Sequence, residues 1–144
     1  MMRLVVDASV AVKWLIAEDD SSIARDMAAR EEDLHAPRLM ASEVSNALWR
    51  KARLGEIGRG DAGVMLASVP GMPVRWGGDE MICADAVRLA LALDRPVYDC
   101  VYLALAHRIG GIVVTADLRF VNALAPTEHG EAIMALADYA TGRY

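Results

Sequence analysis

Four acidic side chains stand where a parallel α/β chain can use them: Asp7, Glu43, Asp99 and Asp117. Asp7 directly follows the apolar run Arg3-Leu4-Val5-Val6 and precedes a helical pattern, so it marks a strand-to-helix junction. Asp117 comes just after the β-branched run Ile112-Val113-Val114, and Asp99 opens the helix that feeds that run. Glu43 interrupts the apolar stripe of a long helix, where a carboxylate must reach solvent or find a cation. Open parallel sheets build their sites at the carboxyl ends of strands, and right-handed crossovers bring at least Asp7, Asp99 and Asp117 to one cleft. Ser9 and Thr115 add hydroxyls beside them, and Asn46 lies one turn beyond Glu43 on the same side. Carboxylates packed together raise one another's pKa unless a cation offsets them. The donors are all hard oxygens. His35, His107 and His129 show no ligand spacing and read as surface or structural, so the set suits Mg²⁺ or Mn²⁺ rather than zinc. A carboxylate-held divalent ion with open positions suits hydrolysis of phosphodiesters. Taken singly, Asp99 and Asp117 read equally well as helix caps.

The elements that must position these acids follow from periodicity and stop signals. Helices are expected over 8–17 and from Asp20 or Ser21 to about Arg30. Others are expected over 39–53, 61–69, from the Gly77-Gly78-Asp79-Glu80 opening to about Leu93, and over 99–109, 118–124 and 131–141. The helix from Asp99 to Ile109 reads as amphipathic, and Gly110-Gly111 stops it. Strands are expected at 3–6, 34–37, 72–76 and 112–114. Glu31-Glu32-Asp33 reads as a solvated loop. The order predicts a small parallel β-sheet of four to five strands flanked by helices, an α/β/α sandwich forming a single domain over 1–144.

Composition agrees. A chain of 144 residues with 55% hydrophobic content can bury one core and is not a disordered composition. No apolar run is long enough to span a bilayer, and the N-terminus meets Asp7 too early for a signal peptide, so a cytoplasmic protein is expected. Cys83 and Cys100 read as buried, reduced thiols. The net charge of −5 speaks against a nucleic-acid partner until four clustered carboxylates and a bound divalent ion are taken into account. Arg50, Lys51 and Arg53 share the helix of Glu43 and, with Lys13 and Arg38, can hold phosphates; the helix residues equally complement a helix C-terminus. Trp14, Trp49 and Trp76 suit base stacking, or core and interface packing.

Asp7-Ala8-Ser9, Glu43-x-x-Asn46, Tyr98-Asp99-x-x-Tyr102-Leu103-Ala104-Leu105-Ala106 and Thr115-Ala116-Asp117 occur in the order and spacing of PIN-domain proteins. More narrowly, the chain resembles the VapC-type toxins of bacterial type II toxin–antitoxin systems. The resemblance covers nearly the whole chain and constrains 127–144 least. It implies a PIN-like fold, a Mg²⁺-dependent endoribonuclease acting on RNA, a homodimer and a cognate antitoxin. Carried onto this sequence, it makes Asp7, Glu43, Asp99 and Asp117 the catalytic acids, with Asp7, Asp99 and Asp117 as metal ligands. Ser9, Asn46 and Thr115 become supporting groups. Cys100 stands where the family often has Ala, and Arg119 follows the last acid. The rival reading is a PIN fold without catalysis, a regulatory module that binds RNA or protein. Phosphotransfer on Asp7 fits worse: Ser9 occupies the place of a second Asp, and the only lysines are Lys13 and Lys51.

Overall fold

The computed structural model describes residues 2–30 and 32–142. Five parallel strands form one sheet in the order β3-β2-β1-β4-β5: β1 (Arg3–Val6), β2 (Asp33–Pro37), β3 (Arg75–Gly77), β4 (Ile112–Thr115) and β5 (Ile133–Ala135). The first strand lies at the centre, with Leu4 opposite Leu34 on one side and Val6 opposite Val114 on the other. Strand order reverses between β1 and β4, the switch point at which such sheets open a crevice. Asp7 ends one of those two strands and Asp117 lies two residues past the other. Leu4, Val5, Val6, Val113 and Val114 are wholly buried, as strands covered on both faces require.

The helices are α1 (Ala8–Leu15), α2 (Ser21–Ala29), α3 (Leu39–Arg53), α4 (Arg59–Ser68), α5 (Met81–Leu93), α6 (Val97–Ile109), α7 (Leu118–Leu124) and α8 (Leu136–Thr141). Between α5 and α6 the chain turns in three residues, with Asp94 in the left-handed region at φ 52°. Pro96 then stands immediately before the first helical residue, Val97. Gly110, at φ 66°, stops α6 as a left-handed cap. Gly111 is needed for a different reason: a Cβ there would stand 2.9 Å from the Arg3 carbonyl oxygen, where α6 hands over to β4 beside β1.

Four expectations change. Residues 131–141 do not form one helix, because Ile133, Met134 and Ala135 pair with Val113, Val114 and Thr115 as a fifth strand. The helix survives only as α8. Helix α6 is not amphipathic: every residue from Cys100 to Ala106 is buried, because it packs on α5 and against β1, β2 and β4 together. Asp33 begins β2 instead of lying in a loop, and it gathers Arg3 (3.5 Å), His35 (3.0 Å) and Arg75 (3.5 Å) at the sheet's lower edge. Glu31 falls outside the described residues. Cys100 is buried as expected, whereas Cys83 is exposed on α5.

Candidate active site

Asp7 is the side chain around which the other groups are arranged. It ends β1 and begins α1, and its backbone N–H donates to the Val114 carbonyl across the switch point (3.0 Å). Two hydroxyls donate to the same carboxylate oxygen, Oδ2: Ser9 Oγ at 2.6 Å and Thr115 Oγ1 at 2.9 Å. Each hydroxyl also accepts a backbone N–H, Ser9 from Ala116 (3.0 Å) and Thr115 from Asp117 (3.0 Å). With their single protons directed at Asp7, the 3.2 Å approach of the two hydroxyls is a contact made by convergence. The loop that delivers Asp117 is thus clamped to Asp7 by two side chains of opposite strand ends. Burial pushes the Asp7 carboxyl above its ordinary range; the two hydroxyls oppose the rise, and the charge of Asp99 adds to it.

Glu43 comes from α3, on the same side of the sheet. The Tyr102 hydroxyl of α6 donates to Glu43 Oε1 at 2.5 Å. Burial raises the Glu43 carboxyl too; Tyr102 opposes this, and the charges of Asp7 and Asp99 add to it. Burial likewise raises the Tyr102 phenol, so it stays protonated and donates. The charge of Asp99 thus acts on both Asp7 and Glu43, and that of Asp7 on Glu43. Asn46 lies beside Glu43 in a cleft of about 540 Å³ that Ser9, Ser42, Arg50 and Tyr98 also line.

Asp99 lies in the first turn of α6 and does not cap it. Its Oδ2 receives Arg95 Nη2 at 2.8 Å, and the Arg95 guanidinium lies 5.2 Å from the centre of the Phe120 ring on α7. Asp117 does cap: its side chain accepts the Arg119 backbone N–H at 3.0 Å at the start of α7. Its carboxylate is more exposed than that of Asp99 and reaches the Asp7 cluster through its backbone and Thr115. Two residues in this arrangement carried no expected role in the site, Tyr102 and Arg95. Their signals were local. Arg95 precedes Asp99 by four positions across a Pro96 helix start, and Tyr102 is a tyrosine inside the apolar run from Cys100 to Ala106, where a buried hydroxyl needs a partner.

The oxygen donors suit a hard divalent cation, and the charge of Asp99 adds to the burial that raises the Asp7 and Glu43 carboxyls. Among the described residues, no three acidic, histidine or cysteine side chains stand close enough together, as arranged, to hold a metal ion. The Asp99 carboxylate instead engages Arg95. Of the basic residues, Arg50 lines the Glu43 cleft, and Arg38 lines an adjoining groove that shares Tyr98 with it. Lys13 is buried and donates to the Asp19 carbonyl (2.7 Å), with Glu18 at 3.5 Å. Lys51 bridges Glu18 (3.2 Å) and Glu56 (3.3 Å). Arg53 lies over the ring of Trp49, which is exposed. Trp14 is tied to the Ala24 carbonyl by its indole N–H at 2.8 Å, joining α1 to α2.

Comparison with known proteins agrees with this architecture. The PIN domain model matches residues 4–124. Ribonuclease VapC3 of Pyrobaculum aerophilum is 36% identical over 120 residues, covering 81% of this chain and 90% of that protein. Ribonuclease VapC9 of Mycobacterium tuberculosis is 35% identical over 121 residues, covering 81% and 87%. Among solved structures, PAE2754 from Pyrobaculum aerophilum superposes with a TM-score of 0.71 at 25% identity, covering 97% of this chain and 90% of that one. Mycobacterium tuberculosis VapC20, a sarcin-ricin-loop-cleaving toxin, shares the fold with a TM-score of 0.65 at 16% identity, covering 83% and 94%. A sheet that reverses its strand order beside a buried, hydroxyl-braced Asp7, together with these relatives, leads to one conclusion: the chain belongs to the PIN-domain family and is related to the VapC ribonucleases.

Proposed function

We propose that this protein is a divalent-metal-dependent endoribonuclease of VapC type, whose acidic centre is Asp7, Glu43, Asp99 and Asp117. The observation that carries the reading is the convergence of Asp7, held by the Ser9 and Thr115 hydroxyls, with Glu43, held by Tyr102, where burial first and the charge of Asp99 after it raise both carboxyls. Asp7, Asp99 and Asp117 are the residues that would hold Mg²⁺ or Mn²⁺. The ion's contribution, when bound, is to neutralise charge on a phosphodiester and acidify water for in-line attack. The remaining work falls to the protein. Ser9 and Thr115 fix the Asp7 carboxylate so that its geometry survives substrate binding. Glu43, raised by burial and held by Tyr102, is placed to take or give a proton at the cleft. Asn46 and Arg50 line the cleft where an RNA backbone would lie, and Arg50 supplies positive charge for phosphates.

Homodimerisation and neutralisation by a cognate antitoxin belong to the same reading. A second groove of about 540 Å³, lined by Leu39, Ile82, Val97, Tyr98 and Val101 among others, meets the catalytic cleft at Tyr98 and offers an apolar seat beside it. No described helix is long and apolar enough to cross a membrane. The deciding experiment is cleavage of RNA by the purified protein with Mg²⁺, repeated with Asp99→Asn and with excess chelator. Cleavage is expected only from the unmodified protein with metal. Undiminished cleavage by the variant, or in chelator, overturns the metal-centre reading, and no cleavage under any condition leaves a PIN-fold binding module as the better reading.

A further inference from the structure

Arg95 lies on the turn between α5 and α6, and the chain spends unusual effort on holding it. Asp94 adopts a left-handed backbone at φ 52°, and the Arg95 N–H closes back on the Ala90 carbonyl at 3.2 Å. Its guanidinium is then sandwiched between two elements of the site. One is Asp99, the acid of α6, through a single 2.8 Å bond from Nη2 to Oδ2. The other is the face of Phe120, one turn along the helix that Asp117 caps. The Arg95 Nε is buried with no hydrogen-bond partner. A structural Arg–carboxylate clamp normally uses its fork on both oxygens. This one uses one nitrogen on one oxygen and rests its remaining affinity on a ring, so the carboxylate can exchange partners while the guanidinium stays stacked.

We infer that Arg95 is a positioning residue that acts through Asp99 as the built-in counter-cation of the metal-free centre, competing with the divalent ion for that carboxylate. The inference rests on the metal-centre reading above and adds an element that reading does not contain. With no divalent ion, the guanidinium partners the Asp99 carboxylate and offsets its charge. When the ion binds, Asp99 turns to it, and Arg95 remains on Phe120 as a fixed positive charge beside the cleft. The cost of displacing Arg95 sets how weakly the centre holds its metal, so activity would track the available divalent ion.

The test measures Mn²⁺ binding to chelator-stripped protein by calorimetry or electron paramagnetic resonance, for wild type, Arg95→Gln, Arg95→Met and Arg95→Lys. Removing the charge is expected to tighten Mn²⁺ binding about fivefold or more, the low end of ordinary coupling between two sites. Arg95→Lys, which keeps the charge, should stay within about twofold of wild type on the same scale. Thermal melts should show neutral variants less stable without metal and gaining more on its addition. In cleavage assays, the half-saturating metal concentration should fall in the neutral variants. Gln and Met differ in shape, so either one folding suffices. Neutral variants that bind Mn²⁺ as wild type does, or more weakly, overturn the role of Arg95 alone. Wild type that binds no Mn²⁺ overturns the metal centre and this inference together.

Discussion

The Tyr102 hydroxyl donates to Glu43 Oε1 across 2.5 Å, joining α6 to α3 between residues 59 apart in the chain. The bond settles how a half-buried glutamate is tolerated on an apolar helix stripe: a phenol raised by burial stays a donor, and the carboxylate accepts from it. Tyr102→Phe keeps the ring and leaves the carboxylate without that donor. The expected loss is about 1–3 kcal/mol of unfolding free energy in metal-free protein, the cost of leaving a charged buried group short of a hydrogen bond. Urea denaturation in chelator measures it. Unchanged stability would mean that the phenol does not hold Glu43.

Thr115 joins the two strand ends at the switch point, accepting from the Asp117 N–H and donating to Asp7. Thr115→Val preserves shape and removes both bonds. A stability loss of about 1–3 kcal/mol is expected. RNA cleavage, where present, should drop about tenfold or more as Asp7 and Asp117 lose their shared anchor. Thr115→Ser should restore most of both. A valine variant as active and stable as the serine variant refutes the clamp.

The pH dependence of Asp7 carries its own sign. Its folded-state pKa is raised, mainly by burial, so the folded protein prefers the protonated form. That preference is a stabilising contribution fully present below the unfolded pKa and lost as pH rises through the folded value. Asp7→Asn removes the titration. In metal-free protein the variant should melt several degrees higher than wild type at neutral pH. The difference should shrink as pH falls towards about 4, the ordinary range of an aspartate. Melting curves across that range decide it; a gap that widens on acidification contradicts the assignment.

Gly111 and Gly130 offer a test of the sheet that leaves the acids untouched. A Cβ on Gly111 would stand 2.9 Å from the Arg3 carbonyl oxygen, and one on Gly130 would stand 2.7 Å from that of Ala125. Neither oxygen belongs to a flexible side chain, so the backbone itself must shift. Each Gly→Ala change should cost about 1–3 kcal/mol. Gly130→Ala should also speed amide exchange in β5, the edge strand that follows it. A neutral Gly130→Ala would show that the 125–133 connection is not packed as described.

What could be read from residue order was whatever a short window records. Asp7 at a strand end and Gly110 at a helix stop are local statements, and the structure agrees with both. The parallel sheet with flanking helices was legible for the same reason. The strand Ile133–Ala135 was not, because three apolar residues running straight into α8 blend with its helical spacing. Helix α6 read as amphipathic because only its tightest-packed face has a clear period; contact with three strands buries the rest. The partners of Glu43 and Asp99 were hidden differently. Glu43 called for solvent or a cation, yet Tyr102 lies far along the chain, where no window around the glutamate can see it. Arg95 sits only four residues from Asp99, but its stacking on Phe120 depends on where α7 lands.

The central place of β1 also sets a schedule for assembly. Thr115, which must reach the Asp7 carboxylate, is translated 108 residues after it. At roughly 5–20 residues per second, a ribosome takes about 5–20 s to cover that interval. Throughout it, the middle strand has no neighbour on its β4 side, and of the two hydroxyls that hold Asp7 only that of Ser9 is present. A nascent chain of this protein therefore carries Asp7 without its second hydroxyl donor until β4 has emerged.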